Sequence, residues 1–179
     1  MILSQGFAKI GEDEASPLKG TPVNDDGSLF PVTAERGLYL DREMVGEVLD
    51  RLDVKHAVDE DGDVLAYWDD VRLYFMFREE GEERIFSLRT FYDRRYEADE
   101  RARLVGTVDD WNRRTFWPKV HTHAFPDGTL SCVGEIFLYA GFGVTAAHFE
   151  HSLKRWIAAS LDFDEHLQEK AGPGTPGVC

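Results

Sequence analysis

His121, His123 and Cys132 have the residue types of a metal site. His121 and His123 are two positions apart, so on a β-strand both imidazoles point to the same face. Cys132 falls on the next predicted strand, where one register brings it near His123 and a shift by one residue turns it away. Two imidazoles and one thiolate could hold zinc with an open position for water. Because no fourth ligand accompanies them, a half-exposed polar sheet face is the favoured interpretation.

A glycine-rich segment between a predicted strand and a predicted helix resembles a phosphate-binding loop. Gly141, Gly143 and Ala146 fit the pattern G-x-G-x-x-A, in which glycines let a pyrophosphate approach a helix N-terminus. No parallel strand is predicted after this helix, and the strand before the loop reads as half of a hairpin. The pattern therefore favours a glycine turn ahead of a helix capped by Thr145.

Other catalytic and metal-binding motifs are missing from the sequence. The run from Asp59 to Asp63 has glycine in its fourth position, whereas a calcium loop needs glycine in its sixth. The sequence contains no G-x-S-x-G nucleophile elbow, H-E-x-x-H zinc motif or G-x-x-x-x-G-K phosphate loop. We therefore expect no catalytic residues, no cofactor and no enzymatic activity. The alternative is a small metal- or nucleotide-dependent enzyme that uses His121 and His123 or the Gly141–Gly143 turn.

Periodic apolar residues predict a helix, three strands, a helix, two strands and a final helix. Asp41 can cap the first helix, and Asp61-Gly62 and Asp127-Gly128 mark the turns of two hairpins. Antiparallel strands interrupted by helices indicate an α+β fold, with a mainly antiparallel sheet and helices on one face. The predicted elements are 41–52, 54–58, 64–68 with a continuation or bend through 71–77, 85–91, 97–115, 119–125, 129–139 and 146–167.

The length suits one domain, and the two ends of the chain differ in composition from the middle. Residues 11–27 are rich in Glu, Asp, Pro and Gly, and we expect residues 1–35 to form a flexible acidic N-terminal arm. Residues 36–170 are predicted to form the single folded domain. Residues 171–179, which end in Cys179, contain the helix-breaking glycines and prolines of a disordered tail.

The charge of the chain limits its partners. Its 179 residues include 34 acidic and 20 basic side chains, which gives a formal net charge of −14. Binding to nucleic acid or to anionic lipid depends on Lys and Arg, so we expect neither as a partner. The sequence shows no signal peptide, no apolar run long enough to span a membrane and only two cysteines. These features predict a cytoplasmic protein.

The segment between the second helix and the next strand is rich in tryptophan. Trp111-Asn112 stands at the helix end, and Trp117-Pro118 opens the strand. Asn112 can bond frayed backbone groups, while Trp111 and Trp117 are expected to pack the helix on the sheet.

This segment belongs to an ordered set of motifs that resembles the YbjN family. The set is Trp111-Asn112, Trp117-Pro-Lys-Val120, Asp127-Gly128, Gly134-Glu-Ile-Phe-Leu138 and Gly143-Val-Thr145, and the resemblance covers residues 40–167. The final helix carries Thr145-Ala-Ala-His148 where relatives often place a Glu-Gln pair after the threonine. Members are described as bacterial sensory transduction regulators. The family is similar in fold to type III secretion chaperones, which are small, acidic, typically dimeric α+β proteins that bind other proteins.

The resemblance implies a non-enzymatic, protein-binding or regulatory module with a secretion-chaperone-like fold. It also implies a protein partner, with a homodimer as a further expectation. Binding could use an exposed sheet edge or a groove that accepts an extended segment. The motifs do not identify the binding residues, because we interpret these six as structural: Trp111, Asn112, Trp117, Pro118, Gly134 and Gly143.

Overall fold

A computed structural model gives the structure of the chain and describes residues 40–80, 83–141 and 143–177. The predictions for the N-terminal arm at 1–35 and for Cys179 lie outside these residues. The elements are α1 (Arg42–Arg51), β1 (His56–Val58), β2 (Val64–Trp68), β3 (Val71–Glu80), β4 (Glu83–Tyr96), α2 (Arg101–Arg114), β5 (Lys119–Ala124), β6 (Leu130–Tyr139) and α3 (Ala146–Ala171), with a 3-10 turn at Ala98–Glu100 before α2.

The six strands form one antiparallel sheet in the order β1-β2-β3-β4-β6-β5. β4 lies in the middle of the sheet and pairs with β3 on one side and β6 on the other. Side chains from all three helices join one hydrophobic core with alternate residues of the strands. The predicted α+β class, with an antiparallel sheet and helices on one face, is confirmed.

The strand count before α2 differs from the prediction, because residues 64–77 form two strands and not one bent strand. Trp68 pairs with Val71, so Asp69 and Asp70 form a two-residue hairpin turn. Asp69 adopts a left-handed conformation with φ of 44°. This turn contains neither glycine nor proline, and aspartate is one of the few other residues that tolerate such a backbone. The usual sequence signal for a turn is therefore absent here.

The core between β4 and α3 is built from aromatic rings. The ring of Phe86 on β4 lies 5.3 Å from that of Phe149 and 6.1 Å from that of Trp156 on α3. Further along, Tyr92 contacts Phe163 at 4.8 Å between ring centroids. The hydroxyl of Tyr92 donates to the Ser160 carbonyl oxygen over 2.9 Å, so this buried polar group is satisfied. Contacts of this kind fix α3 along the length of β4.

Side-chain caps fix where α1 and α3 begin. The Asp41 carboxylate accepts a hydrogen bond from the Met44 amide at the start of α1, as predicted. The Thr145 hydroxyl accepts one from the His148 amide at the start of α3. The helix α3 continues to Ala171, four residues beyond the predicted end at 167.

Part of the tail that we predicted as disordered is paired with the sheet. After α3, the Thr175 amide donates to the Arg95 carbonyl over 2.9 Å, and the Arg95 amide donates to the Thr175 carbonyl over 2.8 Å. This isolated bridge holds the segment after α3 against the end of β4. The backbone of Arg95 is available for it because Arg95 is not paired with β6.

Gly134 on β6 allows close contact with the start of β5. A Cβ atom at this position would lie 3.1 Å from Cβ and Cγ of Pro118 and 3.3 Å from the hydroxyl oxygen of Tyr92. Neither neighbour moves freely, because proline is rigid and the Tyr92 hydroxyl is bonded to α3. We expect Gly134→Ala to lower the free energy of unfolding by about 1–3 kcal/mol, measured by urea denaturation.

Gly106 in α2 provides a matched control for this substitution. It is exposed, and a Cβ atom there would meet no other atom within 4 Å. Gly106→Ala should therefore raise the free energy of unfolding by about 1 kcal/mol through helix propensity alone. Equal effects of the two substitutions would show that the contact between Gly134 and Pro118 does not constrain the fold.

Cys132 is completely buried on the helix-bearing face of the sheet. Burial raises the pKa of its thiol from the ordinary 9.0 to about 12. Unfolding restores the ordinary pKa, so between these two values the unfolded chain loses its proton first. The contribution of the protonated Cys132 thiol to the free energy of unfolding is therefore fully present below pH 9.0. It is lost as the pH rises towards about 12.

We expect Cys132 to be protected from thiol reagents in the native protein at neutral pH, because the reactive thiolate is both disfavoured and inaccessible. The measurement is the labelling rate in a Cys179→Ser background, with and without denaturant. Native labelling as fast as labelling in denaturant would contradict the buried position.

Candidate binding face

The surface of the sheet opposite the helices is the candidate site, and we call it the helix-free face. The register of the strands places alternate residues of five strands on it. It combines aromatic and aliphatic side chains with paired charges. Its members are Leu65 and Tyr67 of β2; Arg72, Tyr74 and Met76 of β3; Ile85, Arg89, Phe91 and Asp93 of β4; Ser131, Val133, Glu135, Phe137 and Tyr139 of β6; and Lys119, His121 and His123 of β5.

Large apolar side chains remain accessible on the helix-free face. Tyr67 is 58% exposed, Phe137 56% and Tyr139 48%. They contrast with the opposite face, where Leu73, Phe75 and Leu88 are completely buried. Aromatic residues that keep about half of their surface in water favour contact with another apolar surface.

Two arginines of this face form ion pairs with carboxylates. Arg72 donates to both carboxylate oxygens of Asp93, at 2.6 Å each. Arg89 donates through Nε to the Glu135 carboxylate, directly opposite on β6, at 2.9 Å. The hydrogen bond to Asp93 raises the pKa of Arg72 above its ordinary value. Because Arg72 and Arg89 are already paired, these two cations are not free to bind phosphate groups.

The tryptophan segment joins α2 to the edge strand β5. The indole N–H of buried Trp111 donates to the Pro118 carbonyl over 3.0 Å, and its ring lies 5.2 Å from that of Phe163. Lys119 donates to the carbonyls of Asn112 and Thr115 at the end of α2, at 3.0 and 2.9 Å. Cations at a helix C-terminus satisfy carbonyls that have no partner within the helix.

The Asn112 side chain forms hydrogen bonds with the outer edge of β5. Its Nδ2 donates to the Val120 carbonyl over 2.9 Å, and its Oδ1 accepts from the Val120 amide over 3.0 Å. A single side chain therefore satisfies both backbone groups that an additional strand would need at Val120. The sequence predicted backbone bonding by Asn112 but not this position on the sheet edge.

Trp117 does not pack α2 on the sheet in the way that Trp111 does. It is 47% exposed, and its ring lies 6.3 Å from that of Trp156 on α3. Its neighbour Phe116 is 84% exposed. The next residue, Pro118, turns inward and packs against Gly134. The expectation that Trp111 and Trp117 pack α2 on the sheet is therefore met by Trp111, whereas Trp117 remains half-exposed.

The three candidate metal ligands do not converge. His121 lies opposite Val133 and His123 opposite Ser131, so both imidazoles are on the helix-free face. Cys132 lies opposite Thr122 and points into the core on the other face. This is the register in which the thiol turns away from His123. Among residues 40–80, 83–141 and 143–177, no group of three or more His, Cys, Asp or Glu side chains could hold a metal ion.

The glycine segment forms a tight turn. The Gly143 amide donates to the Ala140 carbonyl over 3.0 Å, and Gly143 has φ of 78°, a left-handed conformation that glycine adopts without steric strain. The preceding strand β6 is antiparallel to both of its neighbours. This arrangement is that of a helix-capping turn, not of the strand–loop–helix unit that binds dinucleotides.

Sequence reasoning missed the helix-free face as a candidate site. The sequence did contain a signal for it, because apolar residues occupy consecutive positions in β4 and β6 and so face both sides of the sheet. Examples are Phe91 beside Tyr92 and Phe137 beside Ile136. Such runs predict a strand buried on both faces. Only the register and the position of the helices show that one of the two faces remains partly exposed.

Comparison with known proteins agrees with the resemblance seen in the motifs. The family model of YbjN, described as "Putative bacterial sensory transduction regulator", matches residues 41–169. No curated protein matches the chain in sequence. In the described part of the chain, no helix is long and apolar enough to cross a membrane.

Two solved structures are similar to this chain. One is the crystal structure of YbjN from E. coli, described as "a putative transcription regulator", with a TM-score of 0.55, 13% identity and coverage of 74% of this chain and 92% of that chain. The other is an uncharacterized protein from Methanothermobacter thermautotrophicus, with a TM-score of 0.46, 13% identity and coverage of 74% and 100%. At this identity the first structure supports the fold alone. The family model spans most of the sequence from α1 to the end of α3, and the chain belongs to the YbjN family.

Proposed function

We propose that this protein is a non-enzymatic regulatory module of the cytoplasm that binds a segment of another protein, in the manner of a secretion chaperone. The family description, that of a sensory transduction regulator, supports a regulatory role. The secretion-chaperone comparison concerns the binding mode, in which a small acidic α+β protein holds a segment of its partner.

The observation that carries the proposal is the exposure of Tyr67 and Phe137 on the helix-free face. Both rings lie on a sheet whose neighbouring charges, Arg89 and Glu135, are already paired. Covering these rings removes apolar surface from water, which is favourable, and it separates no ion pair. Protein contact of this kind needs no catalytic group.

Charge complementarity supports a basic and amphipathic partner segment. The chain has a net charge of −14, so a segment with Lys or Arg beside its apolar residues gains electrostatic attraction during association. A second copy of this chain carries the same negative charge and is repelled over the same range. A homodimer across this face is therefore disfavoured relative to a basic partner.

Site-specific photocrosslinking in the native cells tests the proposal. With p-benzoylphenylalanine in place of Phe137, we expect covalent capture of a distinct protein, whereas the same group at Val105 of α2, which is 43% exposed, should not capture it. With the captured segment purified, Phe137→Lys should weaken binding at least about tenfold, because it places an unpaired charge in an apolar contact. Val105→Lys serves as the matched control.

Each alternative result has a defined meaning. Crosslinks only between copies of this chain would replace the proposal with a homodimer. Equal capture from both positions would show that the helix-free face is not selective. Binding of the purified segment that is equally sensitive to Phe137→Lys and Val105→Lys would contradict the role of this face.

A further inference from the structure

The pairing between β4 and β6 is interrupted near the end of β4. Tyr92 pairs with Cys132 and Tyr96 pairs with Leu130, so three residues of β4 face a single residue, Ser131, on β6. A bulge of this kind bends the strand and redirects side chains, and bulges are frequent beside functional sites. Here it opens a gap beside Ser131 on the helix-free face.

At the bulge, the side chains of two consecutive arginines lie in different environments. Arg94 forms ion pairs with Asp164 of α3 at 3.3 Å and with Asp70 at 3.1 Å. Arg95 instead places its guanidinium 3.2 Å from the centroid of the Phe125 ring. Its backbone is fixed by the two hydrogen bonds to Thr175. Among residues 40–80, 83–141 and 143–177, no carboxylate lies within ion-pair distance of the Arg95 guanidinium.

A cavity of about 140 Å³ lies at this gap, and we call it the bulge cavity. Phe91 and Phe125 supply aromatic walls, while Arg95, His123 and Ser131 supply polar groups. Arg72 and Asp93 also line it, but they are bonded to each other. The lining therefore keeps one unpaired positive charge, that of Arg95, in a protein whose net charge is −14.

Asp127 is the carboxylate that interacts with this charge, but it forms no ion pair with Arg95: hydrogen bonds from Thr129, and to a smaller extent the charge of Arg95, lower the pKa of Asp127. Asp127 is exposed in the turn after β5, and one of its oxygens accepts hydrogen bonds from the amide and hydroxyl of Thr129, at 2.9 and 2.7 Å. The Ser131 hydroxyl is on the wall of the cavity and makes no hydrogen bond within the described chain. A cationic fork, a hydroxyl and aromatic walls together suit a small organic anion.

We propose that the bulge cavity binds the carboxylate group of a small organic acid, with Arg95 as the counter-ion and Ser131 as a hydrogen-bond donor. Guanidinium pairs with carboxylate through two parallel hydrogen bonds, which explains the preference for this anion. The volume equals that of about four or five water molecules, so the ligand is of the size of acetate or propionate. This site does not depend on the partner protein proposed above, because the protein by itself binds the acid.

Titration of the protein with sodium acetate and sodium propionate, followed by amide chemical shifts in NMR spectra, tests this site. We expect saturable shifts centred on Arg95, His123 and Ser131, which sodium chloride at the same ionic strength does not produce. Arg95→Gln should weaken binding at least about tenfold, since it removes a charge-assisted pair. Arg95→Lys should have an intermediate effect, because it keeps the charge and loses the planar fork.

Arg101→Gln is the matched control, because Arg101 is exposed at the start of α2 and the substitution changes the net charge equally. It should leave acetate binding unchanged. Shifts that chloride reproduces, or equal losses in the two glutamine variants, would overturn the proposal and indicate screening only. If Arg95→Gln fails to fold, unchanged acetate affinity in Arg95→Lys and in Ser131→Ala would overturn it in the same way.

Discussion

The contact between β4 and α3 is the interaction on which the rest of this structure depends. β4 pairs on both sides, and its inward residues Phe86 and Tyr92 pack against aromatic rings of α3. A central strand held on both edges and on one face leaves only its other face available to solvent or to a ligand. The position of one long helix therefore decides which side of the whole sheet remains open.

The motifs by which the family is recognised serve mainly to build the corner between α2 and β5. Trp111 and Pro118 fill the space beside α3 and β6, and Asn112 completes the outer edge of β5. An edge strand with free backbone groups invites unwanted pairing, and Asn112 removes that possibility at Val120. Several motif residues thus specify the fold, while the same motifs also contain the exposed aromatic side chains of Trp117 and Phe137.

The helix-free face and the bulge cavity are consequences of the same one-sided arrangement. Because the helices take up the apolar surface of one face, the other face carries half-exposed rings between paired charges. The interruption of pairing at residues 93–95 adds a pocket at the margin of this face. A surface that contacts a partner and a cavity for a small acid would therefore be neighbours on one rigid sheet.

The sequence by itself determined the element types, the antiparallel sheet, the caps at Asp41 and Thr145 and the family, because these depend on local periodicity, turn chemistry and short motifs. It did not reveal the turn at Asp69-Asp70, since aspartate adopts a left-handed conformation without the glycine that usually signals it. Only the tertiary structure decided the register of Cys132 and His123, the exposure of Trp117 and the position of Arg95 over the Phe125 ring. Each of these depends on which distant strand or helix lies opposite the residue, and that information is not contained in the spacing of neighbouring residues.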